Sequence, residues 1–131
     1  MDCTVPKSPD DKTSCWATPR YPVWKVSQHG LVDGADHMKA EIFARGPISC
    51  AIDSTQKFEE YKGGIYSEVK LLPIPNHEIS VVGWGKEHGI EYWICRNSWG
   101  TYWGEGGFFR MQMHRNNLFI EHDCSWGVVQ K

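Results

Sequence analysis

An imidazole, a carboxamide and five thiols are the groups in this sequence with the most chemistry to offer. The amide oxygen of Asn97 can accept the N–H of one ring nitrogen of His77 and so fix its tautomer. The other ring nitrogen is then left to take or give a proton. Trp99, two positions after Asn97, stands where it can shield that hydrogen bond from water and strengthen it. Such a base serves a thiol, because a cysteine beside an imidazolium is held as a thiolate, with a pKa well below the usual ~8.5. The plain alternative is that His77 is an ordinary, satisfied histidine on an edge strand. Among the thiols Cys15 stands out, since Trp16 and Ala17 follow it. A reactive cysteine belongs at the head of an apolar helix, where the positive end of the dipole favours the thiolate. Here "ATPRYP" follows, and its two prolines forbid that helix.

Positioning His77 and Asn97 is the work of "HEISVVGWGKEHGIEYWICRN", residues 77–97. Two β-rich runs flank "KEHG", which has a hairpin's composition. A hairpin centred near residue 87 sets His77 opposite Asn97, Ile79 opposite Cys95, Val81 opposite Trp93 and Glu78 opposite Arg96. Directly opposed residues have Cβ atoms about 4.5–5.5 Å apart. That register gives one apolar face and one face with a charge pair.

Around the hairpin, residues 1–22 are rich in proline, lysine, aspartate and serine and read as an irregular segment, with the folded domain over 23–131. Residues 23–26 read as a short strand. From Asp33 to Arg45 the pattern is helical, with Met38, Ile42 and Phe43 at helical spacing, Asp33 or Asp36 as cap, and Gly46-Pro47 as stop. "ISCAID" (48–53) reads as a buried strand, and "TQKFEEYKGGIY" (55–66) as a helical turn leading into an extended piece. "LLPIPN" (71–76) cannot be a central strand, because its prolines lack donors. A glycine- and tryptophan-rich loop (98–107) precedes further strands at 108–113 and 126–129. The class is α+β, one main helix against a mostly antiparallel sheet.

The chain has 131 residues, 40% hydrophobic and 23% charged, which is one domain's worth and argues against disorder. A formal charge of −2 gives no nucleic-acid footprint and no basic membrane patch. No run approaches the ~18 apolar residues of a membrane span, and the first residues carry no apolar signal-peptide core. The widely spread cysteines lack C-x-x-C spacing and suit two disulfides and one odd thiol better than zinc. No metal site is expected: "HE" at 77–78 has no second histidine at 81, and "EHDC" at 121–124 offers at most two ligands.

"NHEISVVGWG", "EYWICRNSWG" and "WGEGGFFRM" together resemble the C-terminal half of a papain-family cysteine peptidase. "VWKVSQHG", "MKAEIFARGPISCAID", "YKGGIYSE" and "NLFIEHDCSWG" are most similar to the cathepsin X/Z type within that family. The resemblance covers about residues 15–129. It implies the half-barrel lobe of a two-lobed enzyme, lysosomal or extracellular, that removes residues from peptide C-termini by acyl transfer to cysteine, with no cofactor. It also gives His77 the role of catalytic histidine, Asn97 that of its orienting partner, and Trp99 and Trp103 those of aromatic support.

By the same resemblance Cys15 matches a structural cysteine, and Cys15 to His77 is only about half the roughly 130–150 residues that the family's C-G-[SA]-C-[WY] nucleophile signature requires. Cys3–Cys15 and Cys50–Cys124 are then the candidate disulfides, with Cys95 left as a buried, inert thiol. Glu78 departs from the small or apolar residue usual after the family's histidine. There it either lines the substrate pocket and favours a basic side chain, or forms the cross-strand pair with Arg96, the simpler reading. The nucleophile and the oxyanion-hole glutamine belong to an N-terminal half not represented here, so the chain alone is expected to be inactive. Three readings follow: the C-terminal half of a carboxypeptidase, a split enzyme completed by a separate half, or a free-standing pseudoenzyme that binds a peptide or protein.

Overall fold

The computed structural model describes residues 20–130. The Cys3–Cys15 pairing, the setting of Cys15 and most of the 1–22 segment lie outside the described residues. The described chain runs β1 (Lys25–Val32), α1 (Ala35–Arg45), β2 (Ile48–Ile52), α2 (Gln56–Glu59), β3 (Ile65–Tyr66), β4 (His77–Glu87), β5 (Ile90–Arg96), β6 (Phe108–Gln112) and β7 (Cys124–Gln130). The strands form one seven-stranded sheet in the order β1-β7-β2-β4-β5-β6-β3. Every pairing is antiparallel except β3 with β6. An α+β sheet with helix α1 against β4 and β7 is the architecture expected of such a sequence.

Helix α1 buries Met38 and Ile42, one turn apart, while Phe43 points to solvent at 87% exposure. Phe43 sits about 100° round the helix from Ile42, too far to share its one-sided buried stripe. Neither Asp33 nor Asp36 caps the helix. Its N-cap is Gly34, without a side-chain bond, and the Asp33 carbonyl instead meets the His37 ring at 3.1 Å. The end is as expected: Gly46 at φ 96° turns its N–H back to the Ile42 carbonyl, and Pro47 follows. In β2 the alternation is strict, with Ile48, Cys50 and Ile52 buried and Ser49 and Ala51 on the outer face.

The β4–β5 hairpin exists, but in a different register. Its turn is His88-Gly89, and both residues are left-handed at φ 49° and 84°, as a two-residue type I′ turn demands. Glu87 therefore pairs with Ile90 and Trp84 with Trp93. A bulge between Val81 and Gly83 then absorbs one residue, so Val81 faces Cys95 and Ser80 faces Arg96. The expected cross-strand pairs His77–Asn97, Ile79–Cys95, Val81–Trp93 and Glu78–Arg96 do not form. Turn and bulge together displace the strands by two residues, an even step, and an even step keeps each side chain on its face. Ile79, Val81, Trp93 and Cys95 are buried for that reason.

Two further devices close the core. A disulfide joins Cys50 to Cys124, which are register partners on β2 and β7. On the opposite side Phe58, fully buried on α2, lies with its ring centroid 5.4 Å from Tyr66, 5.3 Å from Trp103 and 4.9 Å from Phe109.

Candidate active site

His77 opens β4 and pairs across the ladder with Ile52. Asn97 lies one residue past the end of β5, and its main-chain N–H donates to the Gly107 carbonyl at 2.9 Å. That bond folds the 98–107 loop back on itself. The loop needs glycine at position 104, where φ is 56° and a Cβ would stand 2.6 Å from the Phe108 carbonyl oxygen.

Although they are not cross-strand neighbours, the two side chains meet. His77 Nε2 lies 2.9 Å from Asn97 Oδ1, and the Ser98 N–H donates to the same oxygen at 2.8 Å. A main-chain N–H can only donate, so the atom facing it is the amide oxygen, and Asn97 cannot be flipped. The same oxygen then requires Nε2 of a neutral His77 to carry the hydrogen. Nδ1 is left with its lone pair. Asn97 is 7% exposed, so this hydrogen bond is sheltered from water.

Trp99 stacks on the imidazole, with centroids 4.8 Å apart and planes 26° from parallel. Behind it Trp103 stands edge-on at 5.0 Å and anchors itself by donating its indole N–H to the Glu59 carbonyl at 2.8 Å. Phe58 meets both indoles, which links this wall to the core. Glu78 turns to the outer face of the sheet, where Ser49 Oγ donates to its carboxylate at 2.5 Å. It makes no ion pair with Arg96, because the register places Ser80 opposite that residue. His77, Glu78, Ala51, Pro75, Asn76 and Asp123 border one open depression of about 390 Å³.

Sequence reasoning overlooked the polar clamp on the approach to His77. Asp53, 2% exposed, accepts from Lys70 Nζ at 2.6 Å and from the Ile74 N–H at 2.7 Å. Burial pushes its carboxyl up, but the Lys70 bond, the Ile74 bond and the Lys70 charge together hold it below the usual aspartate range. Asn76 adds a two-way bond to the Ser54 main chain, at 2.7 and 3.2 Å. The signal in the sequence was an acidic residue ending the apolar run "ISCAID". Cys95 is fully buried, and burial raises its thiol well above the usual range. Among the described residues no group of three or more His, Cys, Asp or Glu could hold a metal ion.

A sheet-borne His–Asn pair roofed by tryptophan on this half-barrel defines a class. The family model for papain family cysteine proteases matches residues 4–128, and the chain belongs to that family. Among its relatives, cathepsin Z of Onchocerca volvulus is 47% identical over 122 residues, covering 86% of this chain and 40% of that protein. The gut-specific cysteine proteinase of Caenorhabditis elegans is 35% identical, over 92% of this chain and 38% of that one. The chain thus spans about two fifths of the length of these curated relatives. Among solved structures, digestive procathepsin L 3 of Tenebrio molitor larval midgut superposes with a TM-score of 0.72 at 30% identity, covering 79% of this chain and 35% of that one. Bromelain from Ananas comosus, in complex with the E64 inhibitor, gives 0.70 at 27%, over 79% and 50%.

Proposed function

We propose that this chain supplies the base-bearing lobe of a cathepsin Z-like cysteine carboxypeptidase. The observation that carries the reading is the pair of donors on Asn97 Oδ1, which orients His77 and leaves its Nδ1 free. In that arrangement Nδ1 takes the proton of a cysteine thiol, and the thiolate adds to the peptide carbonyl. The imidazolium then protonates the leaving amine, and water releases the acyl group. Trp99 keeps water from the His77–Asn97 bond, and Trp103 holds Trp99 in place.

Among the described residues no cysteine suits the nucleophile's part, since Cys50 and Cys124 are bonded and Cys95 is buried. The thiol comes instead from the N-terminal half of a complete peptidase, in the same polypeptide or a separate one. Without that half the chain does not hydrolyse peptides. Glu78, oriented by Ser49 at the rim of the depression beside His77, favours a basic side chain in the substrate. A lysosomal or extracellular setting suits the Cys50–Cys124 disulfide, which persists in oxidising compartments.

Mixing the chain with a separately produced polypeptide bearing a Cys-Trp nucleophile motif, and following release of C-terminal residues from peptides, tests the reading. Turnover is expected in the mixture alone. His77→Ala is expected to lower it by roughly 10²–10⁴, the usual worth of a positioned base. Equal turnover by a mixture containing His77→Ala would sink the proposal.

A further inference from the structure

We propose that Asp53 is a positioning residue for His77, fixing the imidazole through the loop that delivers it. The mechanism above does not use this carboxylate, yet it is buried at 2% exposure where two loops beside His77 cross. Ile52, the residue before it, is the cross-strand partner of His77, and the Ile52 carbonyl accepts the Asn76 N–H at 3.0 Å. The Asp53 carboxylate takes the Ile74 N–H and the Lys70 ammonium, both within 2.7 Å. Its own N–H donates at 2.9 Å to the carbonyl of Leu118. Leu118 and the following Phe119 are both left-handed, at φ 48° and 74°, a conformation that persists only where neighbours enforce it.

The 70–76 loop needs such an anchor. It contains Pro73 and Pro75, which donate no main-chain hydrogen bonds, and it exposes Leu71, Leu72 and Ile74 at 92%, 78% and 71%. Apolar packing therefore holds little of it. The Asp53 and Asn76 bonds hold it instead, and His77 is the next residue. A buried carboxylate gripped by a charged donor and a main-chain donor is among the stronger polar anchors available. Without it residues 71–75 lose their main anchor, and the Asn76 bonds to Ile52 and Ser54 are left to hold the approach to His77 alone. The Nε2–Asn97 bond is then the first contact to lengthen.

The inference takes from the proposed function only the importance of His77. Its test reads ring geometry rather than turnover, so the two fail separately. In the full chain, the His77 Nε2 proton bonded to Asn97 is observed by nitrogen-resolved NMR and its exchange with water measured. Asp53→Ala is expected to accelerate that exchange roughly tenfold, the order one hydrogen bond sets. The main-chain amides that pair Trp93 with Met111 on β5 and β6 should keep their protection. Lys70→Gln, altered where the side chain is 42% exposed, keeps the Ile74 bond and is expected to give a smaller acceleration. If His77 exchange is unchanged in Asp53→Ala, the proposal is overturned. It is also overturned if the Trp93–Met111 amides lose protection in step, since Asp53 then merely supports the fold. Should Asp53→Ala fail to fold, an unchanged His77 in Lys70→Gln overturns it equally.

Discussion

The two partners of the central hydrogen bond are held by opposite kinds of chemistry. The loop that Asn97 opens leans on an aromatic wall through Trp99 and Trp103, where Phe58 touches Trp99, Trp103, Tyr66 and Phe109 with centroids 4.9–5.8 Å away. His77 emerges from an exposed loop clamped by the Asp53 carboxylate and the Asn76 amide. The aromatic hold is indifferent to pH and strong through area. The polar hold depends on geometry and on one charge. A site built this way keeps one side fixed while leaving the other adjustable by a single titration or substitution.

Removing the apolar hold should have the largest effect. Phe58→Ala empties a fully buried ring position at the meeting point of four aromatic side chains. The expected loss is about 3–5 kcal/mol of stability, read by denaturant unfolding. Trp99 and Trp103 fluorescence should change in the folded state as well. A loss under about 1 kcal/mol would mean that the wall stands without its centre.

Next comes the bond behind the other side. Cys50–Cys124 ties β2, the strand that pairs with His77, to β7 across a separation of 74 residues. Replacing both cysteines with alanine should lower stability by about 2–5 kcal/mol in calorimetry or denaturant titration. The aromatic wall should keep its spectrum in the folded protein, because the bond joins β2 to β7 while the rings of the wall stand on α2, β3, β6 and the 98–107 loop.

The aromatic side was the more legible in the sequence. "WICRNSWGTYWGEGG" announces a glycine-shaped loop laid on indoles, and Asn97, Trp99 and Trp103 sit within it. Strand β2 was equally readable, since its apolar alternation has one outcome. The hairpin register was not. "KEHG" has turn composition over four residues, and nothing local says that His88 takes the left-handed position or that a bulge follows at Val81–Gly83. His77 nevertheless reaches Asn97 because the displacement is even. The Glu78–Arg96 pair fell with the register, and Glu78 found Ser49 on β2, a strand no hairpin argument includes. Only the acidic end of the Asp53 clamp showed in the sequence, for a similar reason. Its donors, Lys70 and the Ile74 N–H, come from a proline-rich loop without periodicity.

Acid separates the two holds directly. The folded-state pKa of Asp53 lies below its ordinary value, so its contribution is complete above the unfolded pKa of about 3.9 and is lost as pH falls through the folded value. Stability measured against pH should therefore decline below about pH 4, and Lys70→Gln should make that decline shallower. Removing the bonded cation lets the folded-state pKa rise toward the unfolded one, while the onset stays where the unfolded carboxyl sets it. Aromatic fluorescence of the still-folded protein should stay level through that range. An acid limb of the same depth in Lys70→Gln and the parent would show that the clamp's charge is immaterial.

The smallest expected effect lies where the two holds join. Thr55, two residues after Asp53, caps α2 by accepting the Phe58 N–H at 3.1 Å, and its hydroxyl donates to Glu68 at 2.8 Å. It thus connects the polar clamp's strand to the helix that carries the central ring. Thr55→Ala removes the cap and one acceptor's partner, an expected loss of about 1 kcal/mol. Because α2 has only four residues, the cap governs much of its order. Thr55→Ser keeps the hydroxyl and should recover most of the loss. If serine recovers nothing, the methyl group's packing is what matters, and the join belongs to the apolar side. Full recovery would mean that a single hydroxyl couples a pH-sensitive loop to a pH-insensitive wall.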